Sequence, residues 1–230
     1  MRTLLQVAMV LLLSSGSAFA QSSKAAAAIN TVTVCANNST AACSDARTGT
    51  GTWQAVMATT IKTSNVADLF IGTSLVTGLY TSTTVKGNGS GSTSTATAMG
   101  SVKVRILIDG KPAVAYPDTT GDGVIFDARI QTLTANLGYI FSDCFASGGT
   151  TGTGCTLTPE QISLALETSS AHSFNFIALN VGTGLHTLEV QAMVNASGSG
   201  TNGGSFVSNA LFGLGSLTVE AARMVNSFSF

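Results

Sequence analysis

The stretch Val102-Lys103-Val104-Arg105-Ile106-Leu107-Ile108-Asp109-Gly110-Lys111-Pro112 decides how this chain reads. Val102, Val104, Ile106 and Ile108 fall on one face, and Lys103, Arg105 and Asp109 on the other, with Leu107 the exception. Side chains alternate across a strand with period two, so this is a half-buried strand. Asp109-Gly110 then marks a tight hairpin, because both central residues of a type I′ turn need positive φ. Pro112 opens the return segment. Its missing N–H is tolerated at a sheet edge.

The same signal recurs on both sides. Residues 29–34 (I-N-T-V-T-V) alternate apolar with polar. Residues 53–61 are β-rich, and 69–76 form a more continuous apolar run that reads as a buried strand. Residues 123–137 hold one or two further strands. Residues 174–179 and 186–192 read as a second hairpin around Val181-Gly182-Thr183-Gly184, and β-type pattern returns at 211–219 and 223–230. Gly- and Ser-rich stretches at 86–94 and 195–205 read as loops. One helix is predicted. Thr158-Pro159-Glu160-Gln161 has the form of a capping box with proline at N1, followed by Ile162, Ala165 and Leu166 as an apolar stripe ending near 167–170. Many short strands with glycine turns predict an all-β fold, an antiparallel jelly-roll-like β-sandwich with one short helix.

The chain opens with the features of a secretory signal. Arg2 is followed by an apolar run at 4–13, broken by Gln6, and by the small-x-small site Ala18-Phe19-Ala20. Residues 1–20 therefore read as a signal peptide, 21–28 as a flexible leader, and 29–230 as a single β-sandwich domain. The expected location is secreted, extracellular or periplasmic. No later stretch approaches the roughly 20 apolar residues of a membrane helix, so the product is expected not to span a membrane. Export permits disulfides. Cys35, Cys43, Cys144 and Cys155 allow three connectivities. The sequence-local pairings, Cys35 with Cys43 and Cys144 with Cys155, are favoured. A zinc site is disfavoured, since neither pair has C-x-x-C spacing.

Charge is sparse: 10 Lys plus Arg against 11 Asp plus Glu, 9% of the chain, where about 25% is usual. Losing Arg2 leaves 9 against 11, a net of −2. No basic stripe exists for nucleic acid. Near-zero net charge favours association, so copies of the chain itself are a candidate partner.

Few residues offer chemistry. His172 and His186 are the only histidines, and no G-x-S-x-G elbow occurs. His186 follows a glycine turn and is expected to bond a backbone carbonyl, with His172 exposed and idle. One tryptophan and three tyrosines leave few sugar-stacking platforms for a two-carboxylate glycosidase. Asp118-Thr119-Thr120-Gly121-Asp122-Gly123 resembles the opening of a calcium loop, with Asp118, Thr120 and Asp122 at ligand positions. Arg129 stands where such a loop needs a bidentate acid, and Asp127 substitutes only with a different loop geometry. Calcium is thus the one candidate cofactor. Asn37, Asn38, Asn88 and Asn195 sit in N-x-[ST] sequons.

Two segments resemble parts of carbohydrate-binding modules and galactose-binding-like domains of the jelly-roll type. One is Val104 to Lys111, a strand running into a D-G-K turn. The other is Gly184-Leu185-His186-Thr187-Leu188-Glu189-Val190, a strand entered through G-x-H-T. The resemblance implies the sandwich fold, and surface glycans as a possible class of partner. Trp53, Tyr80, Tyr116 and Tyr139 are scattered singly, so no aromatic ligand platform maps onto it. The expected function is a secreted, non-catalytic structural or surface-interaction protein that self-associates through sheet edges. A carbohydrate-binding module is the first alternative. A small outer-membrane β-barrel is the second, suggested by Phe228 and Phe230.

Overall fold

A computed structural model of the chain describes residues 25–30, 33–37, 47–48, 51–88, 91–142 and 156–223. Fourteen strands cover most of them. The first four are β1 (Ala25–Asn30), β2 (Val34–Asn37), β3 (Arg47–Thr48) and β4 (Gln54–Thr63). Two long strands follow, β5 (Ala67–Lys86) and β6 (Ser94–Ile108). Next come β7 (Lys111–Pro112), β8 (Ala115–Tyr116), β9 (Val124–Ala135), β10 (Tyr139–Ser142) and β11 (Thr156–Pro159). The last three are long: β12 (Gln161–Val181), β13 (Gly184–Thr201) and β14 (Ser205–Ala222).

One sheet runs β3-β2-β14-β5-β12-β8, with β1 also on β14. The other runs β4-β13-β6-β7, with β9 also on β6. Eight strands carry the plan: β2, β4, β5, β6, β9, β12, β13 and β14. The first pairs with the eighth, the second with the seventh, the third with the sixth and the fourth with the fifth, all antiparallel. That is one long antiparallel ribbon wrapped on itself, the jelly roll.

Alternation builds the core. Leu69, Ile71, Leu75 and Leu79 of β5 face Val102, Val104 and Ile106 of β6 and Leu188, Val190 and Val194 of β13. Phe176 of β12 and Phe212, Leu217 and Val219 of β14 complete it. Each fully buried Leu, Ile or Phe contributes about 1.5–3 kcal/mol from its removal from water. The expected hairpin after β6 is present. Asp109 and Gly110 have φ of 53° and 76°, and Ile108 pairs with Lys111.

Five expectations are corrected. Residues 156–159 and 161–170 are strand, not helix. Ile162, Leu164 and Leu166 lie at period two, and β12 holds an unbroken register with β5 from Gln161 to Ala178. A short isolated helix is marginal, whereas β5 supplies a full-length partner. Residues 25–28 are not a loose leader: with Ile29 and Asn30 they form a strand paired with Gly215 to Glu220 of β14, and that strand ends before β2 begins instead of running on to Val34. The segments around 182–184 do not form a hairpin: β12 and β13 lie in opposite sheets. Residues 195–201 continue β13, so the turn shrinks to Asn202-Gly203, both at positive φ. The 69–76 run alternates, with Phe70 turned outward.

Candidate functional site

The distinctive part of the molecule is the seam between β9 and β12, the edge strands of the two sheets. Inward-facing residues of β9 bridge it. Asp127 Oδ2 accepts from Thr77 Oγ1 of β5 at 2.5 Å. Arg129 donates to the Leu79 carbonyl and to Thr168 Oγ1 of β12, at 3.2 and 2.6 Å. Gln131 Oε1 accepts from Thr81 Oγ1, while its Nε2 donates to Thr83 Oγ1 and the Leu164 carbonyl, all at 2.7–2.8 Å. β5 supplies Thr77, Thr81 and Thr83 to this row, all buried. The sandwich therefore has an aliphatic half and a hydroxyl-lined half.

His172 belongs to the seam and is not idle. Its Nε2 lies 2.7 Å from Ser170 Oγ and 3.3 Å from Asp127 Oδ2, and Phe126 packs edge-on against the ring at 6.0 Å. Serine, histidine and aspartate thus meet, but both partners share one ring nitrogen. A nucleophilic relay needs the acid on Nδ1 and the hydroxyl on Nε2, so that proton uptake at one nitrogen is supported at the other. This arrangement has no such path through the ring.

The Asp118 loop is organised by its own first residue. Asp118 Oδ1 accepts from Gly121 N at 2.8 Å and Oδ2 from Gly123 N at 2.9 Å. Thr120 Oγ1 lies 3.5 Å from Oδ1 and accepts from Asp122 N at 3.3 Å. Gly123 is at φ +82°, and a Cβ there would meet the Trp53 ring, so this turn needs glycine. Asp127 bonds across the seam instead of into this loop. Among the described residues no three His, Cys, Asp or Glu side chains are grouped to hold a metal ion.

The Asp109-Gly110 turn and the segment entered at Gly184 meet in space. Asp109 exchanges backbone N–H and side-chain bonds with Thr187: Asp109 N donates to Thr187 O at 2.8 Å, and Thr187 N donates to Asp109 Oδ1 at 2.9 Å. His186 Nδ1 lies 2.8 Å from Asp109 Oδ2, and Nε2 lies 2.9 Å from the Gly182 carbonyl, the expected backbone bond. Both neighbours are acceptors, so only the imidazolium, with two N–H groups, satisfies both. The bond to Asp109 is the main cause raising the His186 pKa above 6.5. The bond to Gly182 adds to it, and partial burial opposes it. The same bond, with Thr187 N, lowers the Asp109 pKa below 3.8.

This clamp sets a pH dependence. A raised histidine pKa gives stability that is complete below pH 6.5 and fades as pH rises through the folded value; a lowered aspartate pKa gives stability that fades below pH 3.8. The urea midpoint difference between the native chain and His186→Gln is expected to be largest near pH 5 to 6 and to shrink by pH 9. A difference that grows with pH would refute the charged form.

On the outer face of the second sheet, the Arg105 guanidinium sits 4.4 Å from the centre of the Trp53 ring and donates twice to Gln191 Oε1. Gln191 in turn donates to Glu189. One face of Trp53 is thereby covered. On the outer face of the first sheet a cavity of about 710 Å³ is lined by Cys35, Tyr80, Glu167, Asn209 and Leu211 among others. Asn209 Oδ1 is buried without a hydrogen-bond partner. Cys35 is disulfide-bonded. Cys43, Cys144 and Cys155 lie outside the described residues, as do Asn38, residues 1–20 and Phe228 and Phe230.

The β12 edge itself escaped the sequence reading. Its signal was the alternation of Ile162, Leu164 and Leu166 with Ser163, Ala165 and Glu167, overshadowed by the helix-start form of residues 158–161.

No family model and no curated protein matches the chain. Among solved structures, it is similar at 10% identity to chains from infectious bursal disease virus. For the Gx and Gt strains the likeness covers 87% of this chain and 40% of theirs, with TM-scores of 0.16 and 0.15. For the VP2 subviral particle it covers 88% and 43%, with a TM-score of 0.16. The chain thus spans about 40% of the length of these proteins, and likenesses this weak bear on neither fold nor function.

Proposed function

We propose that this is a secreted, non-catalytic structural or surface-interaction protein that associates with copies of itself through sheet edges. One observation carries the reading. From Gln161 to Phe176, β12 is paired only with β5, and its other side pairs with no strand among the described residues until β8 at Ile177 and Ala178. An open row of backbone N–H and C=O groups is a template for a further strand. Sparse charge removes the usual repulsion between copies. The single-nitrogen arrangement at His172 supports the non-catalytic part. The outer-membrane barrel alternative fares poorly beside two facing sheets with an aliphatic filling, because such barrels carry their apolar band outside. Light scattering across concentration is the test: rising mass is expected, and a strict monomer at every concentration overturns the reading.

The sugar-binding alternative is favoured by one feature, the cavity beside Tyr80. Its single aromatic ring, the Glu167 carboxylate and the amide of Asn209 are the groups that a sugar ring uses. A glycan array on the native chain and on Tyr80→Ala tests it.

A further inference from the structure

We propose that the free edge of β12 is the docking strand for a second copy of this chain, paired antiparallel about a two-fold axis at Ser169. This deepens the self-association reading and depends on it, adding the edge, the register and the symmetry.

Edges are normally guarded by charge, proline, bulges, brevity or a covering segment. Among the described strands, β9, β4, β7, β8 and β3 carry such guards. β9 points Asp127 and Arg129 inward and has a register shift opposite Val102 and Lys103. β4 has a register shift at Val190/Gln191 and carries Lys62, and its Thr59 hydroxyl donates to Ala27 of β1, which lies along it. β7 ends in Pro112, β8 is followed by Pro117, and β3, β7 and β8 are each two residues long. Between Gln161 and Phe176, β12 has no proline, no lysine or arginine and no bulge, and Glu167 is its one carboxylate. Residues 161–169 are all exposed, with Ile162, Leu164 and Leu166 at 42–46%. Half-exposed apolar side chains on an unguarded edge mark a site for association.

The edge is self-complementary. It is bounded at one end by Glu160, whose backbone is bonded to Gly87 and Gly138, and at the other by β8 at Ile177. A two-fold axis keeps inner faces on inner faces, so residues of equal parity must oppose each other. Only a centre at Thr168 or Ser169 uses the whole free length. The Thr168 centre sets Phe176 against Glu160. The Ser169 centre sets Ile162 against Phe176, Leu164 against Phe174 and Leu166 against His172, with Glu167 opposite Ala171. A centre at Glu167 would place like charges face to face, which is destabilising. The Ser169 register joins the two seven-stranded sheets into one.

The test uses the full exported chain. Ser169→Cys, at an exposed position on the axis, is expected to give mostly covalent dimer with a short bismaleimide. Ala128→Cys, exposed on β9, is the control and should give little. Leu164→Lys puts a guard charge on the edge and should raise the dimer dissociation constant by more than about tenfold, equivalent to about 1.4 kcal/mol. Equal cross-linking at both cysteines, or a dimer indifferent to Leu164→Lys with its β-sheet circular dichroism intact, overturns this edge while self-association stands. A native chain that sediments as monomer throughout overturns both.

Discussion

Replacing Phe176 by alanine is expected to lower the unfolding free energy by about 3–5 kcal/mol, the range for a buried phenylalanine that leaves a cavity. Phe176 is 0% exposed and lies opposite Ile71, where β12 pairs with β5. Its ring also packs on Phe174, with centroids 5.1 Å apart and planes tilted by 52°. Such aromatic pairs add about 0.5–1.5 kcal/mol beyond the area they bury. Close-packed interiors relax little around a deletion, so the neighbours do not refill the space. Urea melts at pH 7 read the loss directly, and Phe176→Leu should cost much less because it retains most of the volume. A Phe176→Ala midpoint shift worth under about 1 kcal/mol would mean that the two sheets do not close on this ring.

The sandwich was legible because alternation survives single-residue noise. Val102, Val104 and Ile106 are buried as their spacing required, and Asp109-Gly110 turns where positive φ is cheap. His186 bonds the Gly182 carbonyl as its place after a glycine turn suggested. Where the structure departs from the local signals, a distant strand decides. Thr158-Pro159-Glu160-Gln161 has helix-start chemistry, but β5, some eighty residues earlier in sequence, offers Gln161 onward a continuous ladder. Residues 25–28 look featureless because small alanines carry no face signal, yet β14 pairs with each of them. The polar seam was invisible for a related reason. Nothing in the local sequence marks Asp127, Arg129 and Gln131 as inward-facing, and only the wrap of the jelly roll turns them toward β5 and β12. Asp127, a candidate calcium ligand by sequence, has Thr77 and His172 as its neighbours.

The second large effect is expected at Gln131, which ties three strands together. It is 6% exposed and uses both ends of its amide, toward Thr81, Thr83 and the Leu164 carbonyl. Gln131→Leu keeps the volume but strips partners from two hydroxyls on residues that are 0% exposed. A buried polar group left without a partner costs about 1–3 kcal/mol, so a combined loss of about 2–4 kcal/mol is expected. Polarity, not packing, is the cause, and a triple variant separates the two. Gln131→Leu with Thr81→Val and Thr83→Val removes donors and acceptors together, and should regain most of the loss. Urea melts of the single and triple variants make the comparison. Hydrogen exchange adds a local readout: in Gln131→Leu, amides of residues 161–168 should lose protection ahead of the β5–β14 pairing, since the tie from β9 to Leu164 is gone. A triple variant as unstable as the single one would show that the seam is held by shape, and that the row of threonines on β5 is incidental to it.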